Sequence, residues 1–419
     1  MKRERKCINS NFLLFLLGRI VSDTGTSIQM MIMPLYIIDI GGTANTVGVF
    51  SFLSLLPALL VYPFAGVIGD RLNRKRIMVV TDFISAVVLL GLGWLSYLGT
   101  MKLSLLLTVQ VIISLMNGLF EPATRGMLPQ LVDKEQLTRH NSTVASARSA
   151  SVLVGPLIGA ALYANFGITI VFFANAVSFL LSGISEMGIG YIHIKQKATD
   201  GIKGIMNDLS EGIKFVLQNN LIRKLSCFLL VSYFVIQPIF SVMLPLFFKR
   251  SLSYTDVQYG YLQTIIILGS LIGSIMIGLL YRKEKRMTKL LVIGSIILLC
   301  GMLLFTALIF PISVLTLGND TIIYFILLAT VLGIFSAGNM FISVPVQTFI
   351  QQATPNEYMS RVFSLVSMIS RGGIPLGALV YGMILEKAEM HWTVLITSVF
   401  IVLTFIIFFN SLSRSSSSM

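Results

Sequence analysis

Hydrophobic residues in this chain come in long unbroken runs, with polar residues gathered between them. Runs of spanning length, about 20 residues each, fall near 11–38, 46–69, 77–98, 103–125, 141–163, 168–190, 223–248, 257–281, 289–311, 321–350, 361–385 and 391–410. In lipid only a helix or a closed barrel satisfies its own backbone, so each run predicts a membrane-spanning helix. Twelve such helices place both chain ends on one side. The longest polar interruption, 191–222, carries Lys195, Lys197, Lys203 and Lys214, while Ile205, Leu209, Ile213 and Val216 recur at helical spacing. This predicts an amphipathic helix over 205–217, lying on the inner membrane surface and joining two six-helix halves. The expected fold is therefore an all-α polytopic membrane protein: a bundle over 1–190, a linker over 191–222 and a second bundle over 223–419.

Composition agrees with this. The 419 residues are 55% hydrophobic and 12% charged, against roughly 25% charged in soluble domains. A net charge of +13 would suit nucleic acid, but 24 of the 31 Lys and Arg fall in termini and loops assigned to one side. Only Lys102, Lys249, Arg250 and Lys387 fall on the other, and Arg19, Arg148 and Arg371 lie within spans. That asymmetry follows the positive-inside rule, so the basic balance reflects topology and anionic headgroups, and no nucleic-acid partner is expected. Met1 to Lys6 ahead of an apolar run imitates a signal peptide, but the run is long and no small-residue cleavage site follows, which predicts a retained first span. Cys7, Cys227 and Cys300 have no paired spacing, His140, His193 and His391 are scattered, and no phosphate-binding Gly-rich loop occurs. No disulfide, metal, cofactor or enzymatic activity is expected, and ATP-driven transport is disfavoured.

The halves repeat one another. A shift of 222 residues places Asn117 on Asn339, Gln130 on Gln352, Glu135 on Glu357, Arg139 on Arg361 and Gly155 on Gly377. Parallel repeats of this kind place a substrate path between the halves, near the bilayer midplane.

Charges inside spans are expensive and mark function by default. Arg19 and Asp23 lie four apart in the first run, hence on one helical face near the midplane. They fit either a coupling site or an ion pair that sets packing. Arg371 is the comparable charge of the second half. A second, shallower group comprises Asp82, Glu121, Arg125 and Arg148, which fits a proton relay or a satisfied structural network.

Three sets of residues carry a resemblance. Gly66, Ile68, Asp70, Arg71, Asn73, Arg74 and Lys75, in the basic turn after the second run, resemble the Gly-x-Leu-x-Asp-Arg-x-Gly-Arg-Lys signature of the major facilitator superfamily, with Asn73 in place of Gly. Asn enters left-handed backbone readily, as a sharp turn would need. Ser151, Gly155, Pro156, Gly159 and Ala160 resemble the Gly-Pro motif of that superfamily's antiporters. Phe120 to Arg125, Leu128-Pro129, Glu135 to Leu137 and Asn141 resemble its macrolide-efflux and siderophore-exporter branch. One departure is Ser114, where many such antiporters carry Arg four residues before the glycine that is Gly118 here.

The resemblance implies a secondary exporter of small amphipathic molecules, drug or macrolide-like, working by proton antiport and alternating access. The same fold would serve a lysophospholipid or lipid flippase, a siderophore or metabolite transporter, or a nutrient importer. Proton coupling and the substrate path fall to Asp23, Arg19, Asp82, Glu121, Arg148 and Arg371. Gating falls to Gly66, Asp70, Arg71, Arg74, Gly155, Pro156 and Gly159. Asp70 is expected to accept backbone bonds near Ser360 and Arg361. The Gly155-Pro156 face is expected to pack on Gly269, Gly273 and Gly278 of span 8. A monomer in the inner or cytoplasmic membrane, with both termini in the cytoplasm, completes the expectation.

Overall fold

The computed structural model describes residues 2–132, 137–191, 201–280, 287–318, 321–354 and 359–416. The first helices are α1 (Lys2–Asp39), α2 (Ala44–Arg71), α3 (Arg74–Tyr97) and α4 (Leu103–Leu131). The stretch Leu137–Met187 is two helices, α5 (137–166) and α6 (168–187). They are divided at Gly167, whose φ of 74° and ψ of −179° lie in a region open essentially to glycine alone. Then follow α7 (Gly201–Gln218), α8 (Asn220–Ser251), α9 (Asp256–Leu280), α10 (Met287–Ile309), the short α11 (Pro311–Leu317), α12 (Ile322–Ala353), α13 (Met359–Lys387) and α14 (Met390–Ser416).

Ten helices among the described residues are long and apolar enough to cross a membrane by length and composition. One of the ten, 140–187, contains both α5 and α6, and the charge-bearing α1 stands outside them. These two adjustments recover the expected twelve long segments. The predicted amphipathic helix is present as α7.

Several helix boundaries have visible causes. Asn73 is not in left-handed backbone, as the turn motif suggested; at φ −64° and ψ 112° it caps α3, its side chain accepting from the Arg76 N–H at 3.3 Å. Asn219 does the same for α8, accepting from Ile222 N at 3.1 Å. Within α8, residues 239–243 and 247–251 form wide turns closed by bonds such as Leu252 N to Phe247 O at 3.0 Å. Pro245 sits between them, and its missing N–H leaves the ladder open to this widening.

The chain divides into two compact units, the first comprising Met1–Gly41 and Phe50–Asn207, the second Gly42–Val49 and Asp208–Met419. In the first, α1 runs along α5 and α6, and α3 packs on α4 and α6. The hydroxyl of Ser114 on α4 accepts from Ala58 N at 3.2 Å and donates to Ser54 O at 2.9 Å, bridging a helical step of α2 just after Pro57. The position where antiporters carry Arg is thus filled by a packing contact. In the second unit, α10 and α9 flank α12, and α13 packs on α8. The buried Tyr381 hydroxyl, on α13, lies 2.9 Å from Val235 O and 2.7 Å from Thr397 Oγ1.

Candidate functional site

The small residues of α5 bring the site together. Arg148, Ser151, Gly155 and Gly159 recur every three or four residues, so they share one helical face. That face meets α1: a Cβ at Gly155 would fall 2.6 Å from Ser27 Cβ, and one at Gly159 would fall 3.1 Å from Ile28 Cγ2. Ser151 Oγ donates to Ile20 O at 3.2 Å. Pro156 is buried beside them. The close approach carries Arg148 to the level of Arg19.

There the carboxylate of Glu121 on α4 gathers three arginines. Arg19 donates to Oε2 through both terminal nitrogens at 3.1 Å, Arg148 to Oε1 at 2.6 Å, and Arg125, one turn along α4, to Oε1 at 3.2 Å. Arg19 also pairs with Asp23 at 3.2 Å, approaches Thr124 Oγ1 at 3.4 Å and stands 5.2 Å from the Phe120 ring centroid. Arg19 is buried, whereas the side chains of Arg125 and Arg148 are 69% and 50% exposed. The permanent charge that solvent cannot reach is therefore Arg19, and its two carboxylate partners are Asp23 and Glu121.

This grouping differs from the sequence expectation in two ways. Arg19 and Asp23 are not a separate deeper pair. The helix α4 continues to Leu131, past the expected end at 125, so Glu121 lies about 15 Å from that end and reaches Arg19. Asp82 does not join the network either. It sits on α3 with one carboxylate oxygen buried and unpartnered, beside Ser182 on α6.

Arg74 donates to Gly126 O on α4, and Lys75 donates to Met187 O and Ile189 O at 2.8 and 2.7 Å. The ammonium thus satisfies carbonyls at the C-terminus of α6, where a cation is favoured. Gly66 and Asp70 lie in the last turns of α2 and Arg71 ends it; their side chains, and the expected Asp70 contact near Ser360 and Arg361, lie outside the described residues. Arg371, on α13, is exposed and has no ion pair among the described residues.

The expected packing of Gly155 and Pro156 on span 8 is corrected. Gly155 and Gly159 are turned to α1, while Gly269 and Gly273 on α9 press on Gly333 and Ala337 of α12. Each glycine face serves close packing inside its own unit, because a missing Cβ is used up wherever two helix backbones meet. The side chain of Leu in Gly155→Leu would collide with Ser27, so it should lower the melting temperature of the purified protein.

Sequence reasoning missed Gln29, Gln110, Asn175 and Glu186, all buried and polar. Gln29 on α1 donates to Gln110 Oε1 on α4 at 3.2 Å and accepts from Asn175 on α6. Glu186, near the end of α6, is 1% exposed with neither carboxylate oxygen partnered. The signal was present: Asn175, Ser178, Ser182 and Glu186 form a polar stripe at helical spacing in an otherwise apolar run.

A family model described as Major Facilitator Superfamily matches residues 15–378. Macrolide efflux protein A of Streptococcus pyogenes is 26% identical over 387 residues, covering 90% of each chain. Multidrug efflux pump Tap of Mycobacterium tuberculosis (strain ATCC 25618 / H37Rv) is 23% identical over 407 residues, covering 93% of this chain and 91% of the relative. Among solved structures, nucleoside transporter NupG superposes with a TM-score of 0.75 at 14% identity, over 96% of this chain and 99% of that one.

Proposed function

Because the chain belongs to the Major Facilitator Superfamily, we propose that this multi-pass membrane transporter exports amphipathic small molecules, drug or macrolide-like, by proton antiport through alternating access. The export direction and substrate class are supported by the similarity to efflux proteins along nearly the whole chain. The observation that carries the coupling is the Arg19–Asp23–Glu121 cluster: one buried guanidinium held by two carboxylates within membrane-spanning helices.

Protonation of Asp23 removes one of the two charges that hold Arg19, and deprotonation restores it. Proton and substrate can then compete through a shared partner. The membrane potential supplies roughly 2.3 kcal/mol per elementary charge per 100 mV. One proton at about 150 mV thereby sustains a gradient of about 300-fold. Arg371 is assigned to the substrate path, and Gly66, Asp70, Arg71 and Arg74 to gating. The working units are a bundle over 1–190 and a bundle over 223–419, joined by a linker over 191–222. The lysine and arginine asymmetry supports a cell-membrane protein with both termini in the cytoplasm, and the working form is taken to be a monomer.

The test is uptake into inside-out vesicles of labelled macrolides, other amphipathic drugs and lysolipids, with and without an imposed proton gradient. Gradient-dependent accumulation of a macrolide or drug supports the reading. Movement of lysolipid alone, or drug movement indifferent to protons, overturns it.

A further inference from the structure

The first unit holds a second group of carboxyls that the Arg19 network leaves out. Asp82 projects from α3 toward α6, where a Cβ on Gly183 would fall 3.5 Å from Asp82 Cβ. Glu186 lies one turn beyond Ser182 on α6 and against α1, where a Cβ on Gly18 would fall 3.2 Å from Ser182 Oγ and 3.7 Å from Glu186 Cγ. Asp82 and Glu186 are 2% and 1% exposed and within electrostatic reach of one another. One oxygen of Asp82 and both oxygens of Glu186 are buried without a hydrogen-bond partner, and the Ser182 hydroxyl stands against Asp82.

The charges facing this pocket come from three helices. Arg19 and Asp23 on α1 act on Asp82, and Arg19 acts on Glu186, but Arg19 is already bonded to Asp23 and Glu121. Lys75, at the start of α3, is near the same end of α6, but its ammonium is committed to Met187 O and Ile189 O. Across the network and the pocket, Arg19, Arg125 and Arg148 stand against Asp23, Glu121, Asp82 and Glu186. One carboxyl exceeds the cations. Two ionised carboxylates enclosed together without a cation are prohibitively costly, and a shared proton is the smallest ligand that relieves the cost.

We propose that Asp82, Ser182 and Glu186 form a proton-binding site of the first unit, separate from the Arg19–Glu121 network, in which the two carboxyls share one proton. The proton bonds to one carboxyl oxygen and is hydrogen-bonded by the other, and Ser182 completes the donor and acceptor set. Its release leaves the pocket with one further negative charge beside Gly18 on α1, one residue from Arg19. Any use of the site in transport rests on the proton-coupled reading above, but the site itself does not.

The test is infrared difference spectroscopy of the full chain in lipid nanodiscs, stepped in pH without substrate. The wild type should show a protonated-carboxyl band that E186Q and D82N each abolish entirely, with both variants folded by thermal melting. Loss of about half the band in each variant means two independent protons, and an unchanged band means other groups; either overturns the proposal. So does removal of the band by sodium at fixed pH, which would mark a metal-cation site. Should E186Q not fold, S182A decides: it should shift the band frequency, and an unshifted band overturns the proposal. Proton-driven export by a wild type that lacks the band would sink this site and leave the transport reading standing. A band present with export indifferent to protons would do the reverse.

Discussion

Glu121→Gln is expected to cost the protein about 3–5 kcal/mol of unfolding free energy, because it strips a buried arginine of its doubly bonded partner. Oε2 of Glu121 accepts from both terminal nitrogens of Arg19 while Oε1 holds Arg148 and Arg125. The neutral amide would present an N–H2 group to at least one guanidinium and leave Arg19 with Asp23 alone. Thermal or denaturant unfolding in detergent checks this, read beside Arg19→Met and the double variant. The double variant should recover part of the loss, since removing both charges leaves none buried without a partner. Glu121→Gln within about 1 kcal/mol of wild type would mean the network contributes no more than an exposed ion pair.

Asp23→Asn should act differently, leaving the fold largely intact and ending uphill export. Arg19 keeps its two bonds to Glu121, so the structural cost is the loss of one contact at 3.2 Å. What disappears is the carboxylate proposed to trade a proton for Arg19. The steady-state substrate ratio across energised vesicles should fall from as much as about 300-fold to near unity, while exchange between equal substrate pools continues. Undiminished accumulation by Asp23→Asn protein would move the coupling elsewhere, with Asp82 and Glu121 next to be tested.

The sequence revealed the fold almost completely, because spanning length is imposed by the bilayer and shows in each run separately. What it blurred were ends. Apolar run lengths placed the end of α4 at 125, while the helix continues through polar residues and Pro129 to Leu131. That error alone separated Glu121 from Arg19. The four-residue spacing of Arg19 with Asp23 placed the two on one helical face, where they pair. The bond from Arg148 to Glu121 spans 27 positions and depends on how closely α5 approaches α1, which no spacing within one helix states. Glu186 escaped notice because it ends an apolar run, where an acidic residue ordinarily means the membrane surface. It is buried where α1 packs against it at Gly18.

The position of Arg19 and Asp23 also bears on how the first helix enters the membrane during synthesis. A central Arg or Asp each adds about 2.5 to 3.5 kcal/mol to insertion of an isolated helix, against gains of only about 0.3 to 0.6 for each Leu, Ile, Phe or Val. The helix α1 thus arrives with a deficit that its own four-residue ion pair only partly offsets. The carboxylate that completes the arrangement is 102 positions away. At ordinary synthesis rates that is roughly 5 to 20 s of elongation, during which α1 must be sheltered by the insertion machinery or by the first of its neighbours. A nascent chain arrested ahead of Glu121 should therefore hold α1 less firmly in the bilayer than one arrested after α5, when the ion-pair network that secures it is complete.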